Sequence, residues 1–174
     1  MILVNSFPEH NKYKNDLLKM IDDMLITTND IKPHPGDNIS KTDFFLPKDK
    51  PRPYLEIFNK MLDPFIKKMT INLNSCYYEV PYIWFQQYNH NDTHNWHNHT
   101  GCQFANVYFL ELEDNNLGTE FLDKQYNVKL KEGDVLTFPS YLYHRSPINL
   151  TKTRKTIISF NSSFSNFKKH ETKN

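Results

Sequence analysis

The sequence has few residues of the kinds that mark secreted or membrane proteins. It contains only two cysteines, Cys76 and Cys102, which do not make a disulfide framework and favour a reducing cytoplasm. It has no apolar run near the ~20 residues that a membrane-spanning helix needs. The apolar residues 1–4 are too few to form the core of a signal peptide. We therefore expect a cytoplasmic protein without membrane contact.

An excess of charge of one sign is also missing. The chain has 21 Lys and Arg against 20 Asp and Glu, a net charge of +1, which makes a general affinity for nucleic acids unexpected. Lys168, Lys169 and Lys173 lie in residues 166–174, which we interpret as a solvated tail. The length favours one domain spanning residues 1–174, and the aromatic content of 14% indicates a core of Phe and Tyr.

Residues 1–75 carry helical patterning. Apolar residues with the spacing i, i+3, i+4 and i+7 predict an amphipathic helix over residues 11–24. The same kind of pattern predicts a helix over residues 54–69, in which Pro64 should cause a kink or a break. Residues 30–53 are polar and rich in proline, so we expect a loop between the two helices.

Residues 76–165 are instead typical of β-structure. Short segments rich in β-branched and aromatic residues alternate with turns such as residues 132–134. The predicted strands are 77–80, 82–85, 104–112, 119–122, 126–130, 135–138 and 156–161. Many short strands after two helices predict a mainly β, α+β fold, namely a jelly-roll barrel with the N-terminal helices packed on one sheet.

The histidines suggest a metal site. Four of the eight lie in residues 90–99, and the pair His97-Asn98-His99 would place both imidazoles on one side of an extended segment. With His144 from a strand across the barrel, they would form one face of an octahedron, as in non-haem iron sites. A histidine-rich surface loop is the other interpretation of the pair. We interpret His90 and His94 as loop residues near the barrel mouth.

The sequence around His144 favours the metal site. Residues 132–140 read as a turn, a buried strand and a proline-ended corner that lead to His144. Arg154 and Lys155 then precede the apolar strand 156–161, where a cation is costly unless it meets an anion. A dicarboxylate would be such an anion. The remaining histidines His10 and His170 are expected at the surface.

These features together resemble a known enzyme family. The residues that carry the resemblance are His97-x-His99, residues 107–110, Gly133-Asp134, residues 138–140, His144 and Lys155-x3-Ser159-Phe160-Asn161. In this order and spacing they resemble the Fe(II)/2-oxoglutarate-dependent oxygenases, and most of all the compact prolyl-hydroxylase-like branch common in phage and marine bacterial genomes. The resemblance covers residues 76–165.

The resemblance implies a double-stranded β-helix, a cupin-like jelly roll, in which His97, His99 and His144 hold Fe(II). It further implies that 2-oxoglutarate and O2 are consumed to oxidise a substrate, with release of succinate. His99 stands where the family usually has Asp or Glu, so the ligand set lacks an anion. The alternatives are a three-histidine cupin-type dioxygenase that does not use 2-oxoglutarate and a non-enzymatic binding module of the same fold. A zinc site that includes Cys102 is a further alternative.

The resemblance also implies a basic residue that pairs with the distal carboxylate of 2-oxoglutarate. Arg154 keeps the spacing from His144, whereas Lys155 fits the alignment with residues 159–161 and is favoured. Ser159 and Tyr88 would hydrogen-bond the same cosubstrate, although Tyr88 also suits the core. The two tryptophans, Trp84 and Trp96, are interpreted as packing or pocket-wall residues. A prolyl or other peptidyl residue is one candidate substrate, a homodimer is left open, and a phage-encoded protein would act in the host cytoplasm.

Overall fold

The structure is a computed structural model that describes residues 1–27, 30–31 and 34–166. Lys168, Lys169, Lys173 and His170 lie outside the described residues. The helices are α1 (His10–Asp23) and α2 (Tyr54–Asn72). The strands are β1 (Leu3–Ser6), β2 (Lys41–Thr42), β3 (Tyr77–Tyr88), β4 (His94–His97), β5 (Phe104–Glu111), β6 (Glu120–Phe121), β7 (Asp134–Pro139), β8 (His144–Ser146) and β9 (Lys155–Ser165).

The strands form two antiparallel sheets. The larger has six strands in the order β1-β7-β5-β9-β3-β2, and the smaller has three in the order β4-β8-β6. Side chains of the larger sheet alternate between two cores, because successive residues of a strand point to opposite faces. In β9, Ile158 and Phe160 pack against the helices, whereas Ile157 joins the core inside the barrel. This is the predicted jelly roll with helices on one sheet.

The helix α2 lies on the larger sheet through a nearly continuous apolar side. Its buried residues are Tyr54, Ile57, Phe58, Met61, Leu62, Phe65, Ile66 and Met69. Pro64 lies inside α2 and does not split it. The buried residues on both sides of Pro64 hold the two halves on the same sheet, and this packing offsets the one backbone hydrogen bond that proline removes.

Three predicted elements differ from the structure. The segments 77–80 and 82–85 belong to one strand, β3, whose register shifts between Glu79 and Tyr82, on either side of Pro81. A bulge at this point accommodates Pro81, which has no backbone N–H to donate a hydrogen bond to the neighbouring strand. Residues 126–130 do not form a strand. A short 3-10 helix, Lys124–Tyr126, begins just before them, and the Asp123 carboxylate accepts a hydrogen bond from the Gln125 amide.

The first 75 residues are also less purely helical than their patterning indicates. The strand β1 pairs with β7 at one edge of the larger sheet, and β2 pairs with β3 at the other edge. The start and the middle of this segment are therefore tied to the sheet that the helices cover. In the parts of the chain that the structure describes, we find no helix long and apolar enough to cross a bilayer.

His10 is buried rather than at the surface, which corrects the expectation from sequence. Its Nδ1 lies 2.7 Å from the Tyr108 hydroxyl, and its Nε2 lies 3.3 Å from a carboxylate oxygen of Glu132. Its ring also packs on Gly133, which has a positive φ of 86°. A position at the start of an amphipathic helix did not reveal these partners, because they come from a strand and a turn about a hundred residues away in the sequence.

Candidate metal centre and adjoining pocket

The smaller sheet brings three histidines together. His97 at the end of β4 pairs directly with His144 at the start of β8. His99 follows two residues after β4, and its backbone amide donates to the Ser140 carbonyl at 2.9 Å. One ligand atom from each of these imidazoles lies within 4.8 Å of the others, a spacing suited to a single metal ion.

Hydrogen bonds fix the orientation of each of the three imidazoles. Nδ1 of His97 lies 2.7 Å from the Asn95 carbonyl, and Nδ1 of His144 lies 2.9 Å from the Leu142 carbonyl. Nδ1 of His99 lies 2.7 Å from the side-chain oxygen of Asn161. A carbonyl oxygen only accepts, so each Nδ1 carries the hydrogen and each Nε2 keeps a free lone pair. That is the tautomer in which metal-binding histidines are commonly held.

The three imidazoles are also kept neutral. Burial, and then the neighbouring histidines, lower the pKa of His144 to about 2. Burial is likewise the main reason that the pKa of His97 falls to about 4, and it lowers the pKa of His99. Neutral imidazole is the form that binds a cation, so no proton has to leave the site at neutral pH.

The ligand set contains imidazoles only. Within the described residues, no carboxylate or thiol joins the cluster of His97, His99 and His144. Cys102 is partly buried, and its carbonyl accepts a hydrogen bond from the Ser140 hydroxyl. The structure therefore gives no support to a zinc site that includes Cys102.

His94 belongs to the site, although the sequence suggested a loop residue near the barrel mouth. Its ring stacks on that of His97, with centroids 3.9 Å apart. Its Nδ1 lies 3.3 Å from the Gln86 side-chain amide, and its Nε2 lies 3.6 Å from an Asp37 carboxylate oxygen. The register of β4 against β8 shifts between His94 and His97. This bulge defeats the simple alternation from which side chains on one face are predicted.

An inner pocket extends from the triad to Lys155. The side chain of Lys155 is buried, and its ammonium donates to the Leu117 carbonyl and the Ser146 hydroxyl. It also lies 4.6 Å from the centre of the Tyr88 ring, on the adjacent strand. Burial lowers the pKa of Lys155 to about 7. No ion pair among the described residues includes this ammonium. The Glu120 carboxylate partly offsets the effect of burial on the pKa of Lys155, but it is itself paired with the Arg145 guanidinium.

Two further polar residues lie along the same pocket. Ser159 is buried two positions beyond Ile157 on the barrel face of β9. The Tyr88 hydroxyl is buried near Ser146 but makes no hydrogen bond of normal geometry with any described residue. A buried hydroxyl without a partner is costly. This orphaned group suggests that a polar ligand completes the pocket.

Arg154 points away from this pocket. Its guanidinium forms ion pairs with Glu111 and Asp22, at 2.8 Å to each carboxylate, on the helix side of the larger sheet. Adjacent residues at the start of a strand face opposite ways, so only one of Arg154 and Lys155 can enter the barrel. The structure places Lys155 inside.

An outer pocket of about 300 Å³ adjoins the triad at His97 and His99. It shares Trp84, Gln86 and three histidines of the site with the inner pocket, so the two form a continuous cleft. Trp84 forms part of the wall, 5.7 Å from the His99 ring. Trp96 instead packs under the Arg145 guanidinium, at 4.7 Å from its ring centre.

Solved structures of other proteins share this architecture. A viral collagen prolyl hydroxylase from Paramecium bursaria Chlorella virus 1, solved as a 2OG complex, matches with a TM-score of 0.60 at 15% identity, over 92% of this chain and 94% of its own. A Trichoplax adhaerens prolyl hydroxylase, solved with a hypoxia-inducible-factor peptide, matches with a TM-score of 0.63 at 13% identity, over 94% and 83%. A Pseudomonas putida prolyl-4-hydroxylase matches with a TM-score of 0.57 at 11% identity, over 96% and 93%.

No protein-family model and no curated protein matches the sequence. At such low identities, the solved structures bear on the architecture and not on the activity of this chain. The chain therefore has the double-stranded β-helix fold of the prolyl hydroxylases, with its helices against the larger sheet, as the resemblance predicted.

Proposed function

We propose that this protein is an Fe(II)- and 2-oxoglutarate-dependent oxygenase. One observation carries the proposal: three neutral imidazoles with free Nε2 atoms converge at a pocket that ends in a buried lysine, which forms no ion pair with any described residue. In this proposal His97, His99 and His144 hold the iron. Imidazole ligands on one side of an ion leave the opposite side open, as non-haem oxygenases require. Bound iron would supply the dioxygen chemistry that the side chains lack.

The residues of the inner pocket would bind the cosubstrate. The Lys155 ammonium would pair with the distal carboxylate of 2-oxoglutarate, while Ser159 and the orphaned Tyr88 hydroxyl would donate hydrogen bonds. We propose no such role for Arg154, because its charge is already paired on the other face of the sheet. The inner pocket has a free volume of only about 20 Å³. Lys155 must therefore release Leu117 and Ser146 when a dicarboxylate enters.

The proposed reaction converts 2-oxoglutarate, O2 and a substrate C–H bond into succinate, carbon dioxide and an alcohol. The protein would contribute positioning and exclusion of water. The anaerobic holoprotein, prepared by adding Fe(II), provides the first test. Adding 2-oxoglutarate should produce a weak visible charge-transfer band, and exposure to air should then produce succinate.

Two histidine variants sharpen this test. His144→Ala should abolish the band while the fold persists, because the protein then offers only two of the three ligands. His90→Ala is the matched control, since His90 lies in the same histidine-rich segment but its imidazole is exposed and hydrogen-bonded to the Thr151 carbonyl, outside the triad. Iron binding that is normal in His144→Ala would show that the assignment of the triad is wrong.

The absence of an anionic ligand favours a second candidate, a three-histidine dioxygenase that does not use 2-oxoglutarate. Here Lys155 would bind the carboxylate of a different substrate. Measuring succinate formation by the iron-loaded protein distinguishes the two candidates, because the second predicts iron binding without succinate formation. A protein that binds neither iron nor 2-oxoglutarate would instead support the non-enzymatic binding module.

Other parts of the proposal rest on less specific observations. The Trichoplax neighbour was solved with a peptide, and we propose a prolyl or other peptidyl residue as the oxidised group. Both cysteines are free, which suits a reducing cytoplasm. Helices and barrel share one sheet, so we propose that residues 1–174 form one domain, with residues 76–165 as the barrel core. A phage origin and a homodimer remain predictions.

A further inference from the structure

The outer pocket carries one formal negative charge and no lysine or arginine among its described lining residues. That charge is Asp37, whose side chain is only 5% exposed. One of its oxygens accepts a hydrogen bond from the Asn95 amide at 2.8 Å. The other lies 3.6 Å from Nε2 of His94, which is longer than a hydrogen bond. The described part of the chain therefore leaves this oxygen free to accept from a ligand.

The segment that carries Asp37 is held firmly against the site. Asn38 and Thr93 form an antiparallel bridge, with N–O distances of 2.9 and 2.7 Å. Gly36 has a positive φ of 90° and lies so close to β4 that a Cβ there would be 2.7 Å from the Asn95 side chain. The carboxylate is thus positioned before any ligand arrives, which lowers the entropy lost on binding.

Aromatic rings line the rest of this pocket. Phe44, Phe45 and Trp84 contribute to the wall, and the Phe44 ring packs edge-on against both other rings, with centroids 5.1 and 5.3 Å away. The Tyr82 hydroxyl donates to the Phe44 carbonyl at 2.7 Å, which fixes the backbone at this point. The wall offers apolar contact and negative ring faces, both of which suit an organic cation.

We infer that the outer pocket selects a substrate that carries a cationic nitrogen, an ammonium or guanidinium, on an apolar stem. The nitrogen would bind Asp37, and the stem would pass along Phe44 and Trp84 towards the triad. A carboxylate or phosphate would be repelled there. The link to oxidation rests on the proposed function, but the pocket is built from side chains alone and selects its ligand whether or not a reaction follows.

The test uses three probes of matched size and different charge. Benzylammonium, benzyl alcohol and benzoate are titrated into the metal-free full chain, because benzoate would coordinate a metal ion bound at the triad, and binding is followed by ligand-observed NMR. Benzylammonium should bind at least about tenfold more tightly than benzoate, the difference expected of one nearly buried ion pair supported by aromatic contact. Equal binding of the three probes, or tighter binding of benzoate, would overturn the inference.

Asp37→Asn isolates the charge, because the amide oxygen can still accept from the Asn95 backbone. This variant should lose the preference for benzylammonium and keep its affinity for benzyl alcohol. Asp49→Asn removes an aspartate charge from an exposed position of the same loop region and should change nothing. A preference for the cation that survives in Asp37→Asn would also overturn the inference.

A peptide arm distinguishes a peptide side chain from a small amine as the source of the cation. Acetyl-Gly-Lys-Gly-amide and its norleucine counterpart are incubated with Fe(II), 2-oxoglutarate and air. A mass gain by the lysyl peptide alone would support the inference and identify a peptide side chain as the source of the cation. Preferred binding of benzylammonium in the NMR titration, without such a mass gain, would support a small amine instead. Oxidation of the norleucine peptide alone contradicts the inference. Succinate formation is measured separately, so failure of the oxygenase proposal is distinguishable from failure of the pocket assignment.

Discussion

The two faces of β9 show how differently one strand is used. On the helix side, Phe160 packs edge-on against Phe58 and Phe65, and the Arg154 charge is neutralised by two carboxylates. On the barrel side lie Lys155, which forms no ion pair with any described residue, and Asn161, which accepts a hydrogen bond from His99. On the helix face the charged group is paired within the protein. On the barrel face there are polar groups that a ligand could still pair with. We therefore expect the helix face to stabilise the fold and the barrel face to bind a ligand.

The largest expected effect of this division is on stability. Phe160→Ala should lower the free energy of unfolding by about 3–5 kcal/mol, because it removes a fully buried ring and leaves a cavity between β9 and α2. Urea denaturation measures this change. Metal affinity of the folded fraction should stay close to that of the unmodified protein.

The adjacent Asn161→Ala provides the matched control. It removes the acceptor that orients His99 and should lower metal affinity by about 10–100-fold, the usual effect of losing such a partner, with a smaller loss of stability. If Phe160→Ala weakened metal binding as much as Asn161→Ala does, the two faces would not be functionally separate.

The second effect concerns the two adjacent cations. Lys155→Met should weaken 2-oxoglutarate binding by about 100-fold, since a carboxylate would enter the barrel without its partner. Stability should stay the same or rise, because a buried ammonium is replaced by an apolar side chain. Calorimetric titration and urea denaturation measure the two quantities.

Arg154→Met is the counterpart on the helix face. It removes partly exposed ion pairs and should lower the free energy of unfolding by no more than about 1 kcal/mol, with 2-oxoglutarate affinity unchanged. The reverse result, in which Arg154→Met abolishes cosubstrate binding, would exchange the roles proposed for these two residues.

The smallest effect is a pH dependence. Burial lowers the pKa of Lys155 from 10.5 to about 7, and a bound carboxylate would raise it again. Below pH 7 the ammonium is already charged, so binding needs no proton. Above pH 7 binding must take up a proton, and affinity should fall as pH rises. Titrations in buffers of different ionisation enthalpy measure this uptake, which Lys155→Met should eliminate. Release of a proton on binding would contradict the assignment.

The same depressed pKa affects stability with a defined sign. Between about pH 7 and 10.5 the unfolded chain binds the Lys155 proton and the folded chain does not. The contribution of this group to stability therefore rises with pH across that window. It is least favourable below pH 7, where the charge stays buried.

Sequence patterns predicted the strands of the barrel better than they predicted the residues that line its pockets. Both helices, the turn before β7 and most of the strands follow from local spacing and composition, and the structure confirms them, apart from residues 126–130, which form no strand. His94 was missed because a bulge in β4 breaks the alternation, and His10 because its partners are distant in the chain. Asp37 was not identified either, because it lies in a loop where no local pattern marks a functional residue. The bridge of Asn38 to Thr93 and the hydrogen bond from the Asn95 amide bring it to the triad.

The choice between Arg154 and Lys155 shows the same limit. Either residue fits the sequence, because the spacing of motifs does not fix which face of a strand looks inward. Pairing of β9 with β3 and β5 sets that orientation.

By itself the sequence determined the elements and the chemistry they carry: two amphipathic helices, a series of short strands, and histidines at spacings that suit a metal. The tertiary structure alone decided which of those groups meet. The reason is physical, since side-chain periodicity acts within a single element, whereas a site depends on register, bulges and loop closure among elements far apart in the chain.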